Sequence, residues 1–227
     1  MSWLVTRDRS GLAAAHVAPA EPTVPAAPSW AATVLRCEAE AGPFDAGLLG
    51  AWIHEIEMVQ RRVGALEAPA GSATQRAAAP DRRVDEAPGR YALVALAAAR
   101  SGEFWSTEQL VAVGAAVELA YRATRHHDEV RDRGDQRARD DNRRHVLDGD
   151  WSITQAAVLV ADIGPEAYRL LVRGYGAAQV ARFAGRSPTA LLASAMALGQ
   201  LVAGVRDGTA ISADSVGARV YGWAIAS

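Results

Sequence analysis

The chain has 227 residues, half of them apolar and 22% charged, with a formal net charge of −2. That length suffices to bury a sizeable core, and so weak a charge excludes a strong field that recruits nucleic acid or an anionic membrane. All 24 basic residues are arginine, which excludes any site that needs a lysine. The one cysteine, Cys37, rules out an internal disulfide framework and fits a reducing compartment. Arg7, Asp8 and Arg9 break the apolar start, and no run of eighteen apolar residues is free of charge, so neither a secretory leader nor a membrane span is expected. The expected location is the cytoplasm.

In chain order, residues 1–28 carry Pro19, Pro22, Pro25 and Pro28 among alanines and read as a disordered tail. Residues 29–227 read as one helical domain. Ser29 is placed to cap a helix over residues 30–41, which Gly42-Pro43 ends. A second helix is expected over 44–67, where Leu48, Leu49, Trp52, Ile56, Val59 and Val63 recur at helical spacing with Glu55, Arg61 and Arg62 off that stripe. Residues 68–89, rich in Ala, Pro and Gly, read as a flexible loop ending in Pro88-Gly89.

Helical signals are dense from residue 90. Residues 90–100 form an apolar helix, and Ser106 with Gln109 makes a capping box for a helix running to about Asp132. Further helices are expected from Asp150 to Gly164, from Pro165 (suited to a first helical position) to Phe183, from Ser187-Pro188 to about Arg206, and from Ser212 nearly to the end. Nothing alternates with period two for long enough to make a sheet. The fold class is all-α.

The segment from Ala115 to Asp132 carries the chemistry. On a continuous helix Asp128 and Asp132 share one face, with Glu129 about 100° round. Carboxylates gathered at the end of a buried helix are costly without a compensating cation. Two readings account for them: a Mg²⁺–diphosphate site, which takes one or two protein carboxylates plus substrate phosphates, or a solvated helix end with i,i+4 ion pairs. His126, His127 and His145 lack the spacing and cysteines of a zinc site. Six arginines and four aspartates over residues 131–144 read as a solvated loop, because no aromatics are interleaved for nucleic acid. Trp52, Trp105 and Trp151 read as core or interface packing.

The same segment resembles the first aspartate-rich motif of the trans-isoprenyl diphosphate synthases. Ala115-Ala116-Val117-Glu118-Leu119 leads through His127 to Asp128, Glu129 and Asp132 at the three acidic positions. Gly149-Asp150 is similar to the Gly-Asp that follows the family's motif. Pro88-Gly89-Arg90 before an apolar helix is similar to its Gly-Lys-Arg segment. The resemblance implies a helical bundle around an apolar cavity, with Mg²⁺ held by two acidic motifs and clamping an allylic diphosphate. It implies Asp128, Glu129 and Asp132 as metal ligands, Arg90 and Arg137 as diphosphate ligands, and Ala123 and Thr124 as modulators of product length.

The chain departs from that pattern in specific places. Only Arg90 remains of the Gly-Lys-Arg cluster, the Lys-Thr expected near Tyr221-Gly222-Trp223 is missing, and after residue 162 the acids are Glu166, Asp207 and Asp214, none paired. No second acidic motif appears. Arg125 and Arg131 lie among the first motif's carboxylates, where they neutralise them internally or take a metal's place on diphosphate; the first reading is favoured. These losses imply a non-catalytic or weakly active subunit, partnered with a full-length trans-isoprenyl diphosphate synthase or with itself. The alternatives are an active short prenyltransferase or terpene-cyclase-like enzyme, and a non-enzymatic isoprenoid-binding protein.

Overall fold

The computed structural model describes residues 30–66, 88–100, 102, 106–130, 136–187, 189–205 and 215–226, and of residues 136–138 the backbone alone. The expected tail and nearly all of the expected 68–89 loop lie outside them. The described residues form eight helices and no strand: α1 (Ala31–Ala41), α2 (Ala46–Leu66), α3 (Arg90–Ala99), α4 (Thr107–Asp128), α5 (Gln136–Ala161), α6 (Pro165–Phe183), α7 (Thr189–Val202) and α8 (Val216–Ala226). No described helix is long and apolar enough to cross a membrane.

α4 is the centre. It packs against α2, α3, α5, α6 and α7. It is buried nearly all round from Leu110 to Thr124, as expected of a helix that is apolar on every face. α3 is buried from Tyr91 to Ala99 and packs against α2, α4, α7 and α8. Its small side chains let neighbouring backbones come close. At Gly199 of α7 an added Cβ overlaps the Ala95 carbonyl oxygen, so the α3–α7 crossing requires glycine there. At the α6–α7 crossing a Cβ on Gly174 overlaps the Ser194 side chain, whose hydroxyl donates to the Leu170 carbonyl at 2.9 Å.

The α2 stripe behaves as its spacing predicts: Trp52, Ile56, Val59 and Val63 are fully buried, and Leu48 and Leu49 pack against them. Glu55 departs from expectation, being buried and paired with Arg100 at 2.6 Å. α2 starts at Ala46 because Asp45 caps it, accepting from the amides of Gly47 (2.9 Å) and Leu48 (3.1 Å). Phe44 stays outside that helix with its ring edge-on to Trp52. The far end of the loop is pinned. The Pro88 carbonyl accepts from Thr33 at 2.5 Å, and Gly89 adopts φ +81° with the Trp30 indole filling the place of a side chain.

Three expected boundaries are corrected. Ser106 does precede α4, but its side chain makes no capping hydrogen bond, so the capping box is not formed. α4 ends at Asp128 rather than near Asp132, because carboxylates at a helix C-terminus oppose its dipole while Arg125, His126 and His127 in the last turn favour it. α5 begins at Gln136 rather than Asp150. The arginine–aspartate run is therefore largely helical, since charges such as Asp140 and Arg144 fall four apart and support a helix as well as a solvated loop.

Cys37 lies fully buried on α1, and burial, with Glu40 adding to it, pushes its thiol up to about 12. The thiol should stay unreactive toward a disulfide reagent at pH 8 in the native protein and react fully in denaturant. Replacing Gly199 with Ala should lower unfolding stability by about 1–3 kcal/mol in urea titration at an unchanged m-value, since the α3–α7 crossing must open.

Candidate functional site

The candidate site forms at the C-terminal end of α4, where the chain brings one helix end under the flank of another. Three polar side chains of α4 precede it, and each finds a partner because the helix has no water around it. Glu118 is buried and accepts from the Ala92 amide at 2.9 Å. It thereby satisfies a free donor in the first turn of α3. Thr124 is fully buried and donates to the Tyr121 carbonyl at 2.6 Å. Arg122, packed 5.8 Å from the Trp30 ring centroid, is lowered to about 10 by burial and stays charged at neutral pH.

His127 is the hub of the site. Its Nδ1 lies 3.0 Å from both the Tyr175 hydroxyl and the Gln179 amide of α6, and Gln179 also donates to Tyr175 at 2.8 Å. Its Nε2 lies 3.3 Å from Asp150 of α5. The tautomer with hydrogen on Nε2 donates to Asp150 and leaves the one Nδ1 lone pair to accept from the Tyr175 hydroxyl, which itself accepts from Gln179. Gly149 makes this possible: a Cβ there overlaps the imidazole. The Gly149-Asp150 pair, distant from His127 in sequence, thus forms its seat.

One residue further on, Asp128 forms an ion pair with Arg182 of α6; the two side chains are 34% and 23% exposed. The two residues, with His127, Gln179 and Phe183, line an open depression of about 340 Å³. Glu129 follows as the C-cap of α4, its amide bonded to the carbonyls of Arg125 and His126. Asp132 and Arg131 lie outside the described residues, as does the side chain of Arg137. Arg125 is half-buried in the last turn of α4. Ala123 and Thr124 are both fully buried.

Arg90 opens α3 with its guanidinium 5.3 Å from the Tyr91 ring centroid. Tyr91 in turn stacks on Tyr121 at 4.4 Å. Burial raises the Tyr91 phenol, while Arg90 and Arg182 pull it down. Sequence reasoning missed Tyr175, Gln179 and Arg182. Their spacing of four and then three marks one polar stripe on α6, which was readable. Which helix end it faces was not.

The described residues alone do not fit a magnesium site. They bring two carboxylates of the first motif to one helix end, and an arginine already holds one of them. No group of three metal-ligating side chains occurs among them. Asp128 is paired with Arg182 of α6, a residue outside the motif, while Arg131 lies outside the described residues.

No family model and no curated protein sequence matches the chain. Two solved structures do. A decaprenyl diphosphate synthase from Rhodobacter capsulatus superposes with a TM-score of 0.54 at 20% identity over 70% of this chain and 58% of that one. A geranylgeranyl pyrophosphate synthase from Corynebacterium glutamicum superposes with a TM-score of 0.58 at 22% identity over 78% and 59%. The chain thus spans less than three-fifths of either structure's length. It has the all-α fold of the trans-isoprenyl diphosphate synthases.

The hub yields a double-mutant test. Gly149→Ala gains about 1 kcal/mol of helix propensity but must push the His127 ring aside, for a net loss of about 1–2 kcal/mol. Tyr175→Phe should cost about 1 kcal/mol in the native background. In the Gly149→Ala background the same change should cost at least about 0.5 kcal/mol less, as measured by urea unfolding of the four proteins.

Proposed function

We propose that this chain is a non-catalytic or weakly active subunit of a heteromeric trans-isoprenyl diphosphate synthase, assisting a full-length chain in condensing an allylic diphosphate with isopentenyl diphosphate. The observation that carries the reading is the Asp128–Arg182 ion pair. Asp128 is the first acidic residue of the motif that the resemblance assigns to metal binding, and a guanidinium of the same chain occupies it. Unit charges about 4 Å apart interact with ~4 kcal/mol in a partly exposed site, and a divalent ion doubles that. A metal sharing the carboxylate would have to overcome a repulsion of this order or displace Arg182. Arg182 lies one turn beyond Gln179, which contacts His127 at 3.0 Å, so the ion pair and the hub share one stretch of α6.

The other support is subtractive. The chain has no lysine anywhere. Charge stabilisation of a departing diphosphate needs cations aimed at it, and of the Gly-Lys-Arg cluster that the resemblance implies only Arg90 is present. What persists is the helical frame around the first motif. Such a frame suits a chain that positions or shapes a partner's cavity rather than one that cleaves a diphosphate itself.

Two measurements test this. The purified chain, incubated with allylic and isopentenyl diphosphates and Mg²⁺, should show no turnover alone. Added to a full-length synthase from the same cell, it should change the rate or the product length. Turnover by the chain alone, abolished by Asp128→Ala, overturns the proposal, and an inert mixture from which prenyl lipid co-purifies with the chain favours an isoprenoid-binding protein instead. Arg182→Ala should raise Mg²⁺ affinity at least about tenfold in calorimetric titration, because it removes more than about 1.4 kcal/mol of repulsion; an unchanged affinity means that Arg182 does not guard the carboxylate.

A further inference from the structure

The end of α4 meets α5 at two places one turn apart. His127 is seated on Gly149, and a turn earlier along α5 the His126 ring lies beside that of His145, with the ring centroids 5.9 Å apart. These two histidines are remote in sequence, so the α4–α5 crossing alone brings them together. Both are half-buried and within reach of solvent. The Nδ1 atom of His145 is buried and meets no hydrogen-bond partner among the described residues. Buried polar atoms are nearly always partnered, so an orphaned imidazole nitrogen calls for an explanation. Neither the hub around His127 nor the Asp128–Arg182 pair draws on these two rings.

The spacing of the rings fits a shared ion. An imidazole nitrogen binds a metal such as zinc at about 2.0–2.1 Å, which puts each ring centroid about 3.2 Å from the ion. Two rings on one ion, at angles from tetrahedral upward, then have their centroids about 5–6 Å apart. Rotation about histidine χ2 is soft, so a modest turn of each half-buried ring aims one nitrogen at a common point. The charges nearby are mixed. Burial lowers the His126 pKa, Asp148 raises it, and His145, Arg122 and His127 lower it further. A neutral ring keeps the lone pair that a metal needs. Asp148, three residues after His145 on the same helix, is the carboxylate that offsets the Arg122 charge at this place.

We propose that His126 and His145 together hold a divalent transition-metal ion, of the zinc, nickel or copper kind, that staples the end of α4 to α5. Imidazole suits these ions, whereas magnesium takes oxygen ligands. No group of three ligating side chains occurs among the described residues, so water completes the shell, and Asp148 orients that water. The ion's role is structural: it fixes the helix turn that carries His127 and Asp128. The site shares no ligand with the Asp128–Arg182 pair. It therefore stands apart from the subunit reading: a chain that binds no transition metal leaves that reading untouched, and turnover by the chain alone leaves this one untouched.

The test uses the full chain with Mg²⁺ in excess throughout, so that any magnesium site is already satisfied. Zn²⁺ should raise the urea midpoint at an unchanged m-value, by an amount that grows with the logarithm of its concentration. His126→Gln and His145→Gln should each abolish that shift, while His54→Gln, an exposed histidine on α2, should keep it. One equivalent of Cu²⁺ should show two imidazole nitrogens in its electron paramagnetic resonance spectrum. His145→Gln should remove one of them and weaken Cu²⁺ binding at least about tenfold in calorimetric titration. If His126→Gln fails to fold by circular dichroism, the half-exposed His145 decides the matter alone. Three results overturn the proposal: no midpoint shift with Zn²⁺, a shift that survives either substitution of the pair or is lost in His54→Gln, or a copper spectrum and affinity unmoved by His145→Gln.

Discussion

α4 is buried on the sides where α2, α3, α5, α6 and α7 pack, and that single constraint organises the molecule. Where no water reaches it, a polar group on α4 must be met by another helix or by its own backbone, and the partly exposed groups at its end are met as well. Glu118 therefore reaches α3, Thr124 turns back to a carbonyl one turn away, and His127 and Asp128 reach α5 and α6. Leaving any one unmet costs about 1–3 kcal/mol. These contacts tie the order of the bundle to a few polar atoms, while the apolar surfaces around them supply most of the stabilisation.

The same constraint shapes the acidic end. A helix C-terminus repels carboxylates, yet Asp128 and Glu129 sit there. In the synthases that the chain resembles, the resemblance implies a metal as the compensating cation. Here the compensation at Asp128 is covalently part of the chain, through Arg182. Replacing a dissociable ion with a tethered guanidinium keeps the helix end stable at any metal concentration. On the proposed reading it also fills a place that a metal would need. The proposal of a subunit that assists rather than catalyses follows from this exchange.

Much of this was legible in the residues, for local reasons. The stripe from Trp52 to Val63 and the apolar run from Tyr91 to Ala99 announce buried helices by period alone, and Pro165 marks the start of α6. Glu55 was misread as outward, because periodicity weighs a carboxylate as polar and cannot see Arg100 waiting across the gap. The run over 136–144 was misread as loop, because its charge pattern serves a helix and a solvated coil equally well. The chain was expected to continue α4 through Asp132, and the unfavourable dipole at Asp128 and Glu129 was the signal against it.

By itself the sequence determined the all-α class, most of the helix faces, the absence of lysine and the acidic cluster from Asp128 to Asp132. Those are properties of composition and of a repeat 3.6 residues long, so they can be read within a turn or two. Only the tertiary structure decided that Gly149 seats His127, that Glu118 holds the start of α3, and that Arg182 meets Asp128. Each of those joins helices separated by twenty to more than fifty positions, and which helices cross is settled by the packing of the whole core rather than by any local pattern.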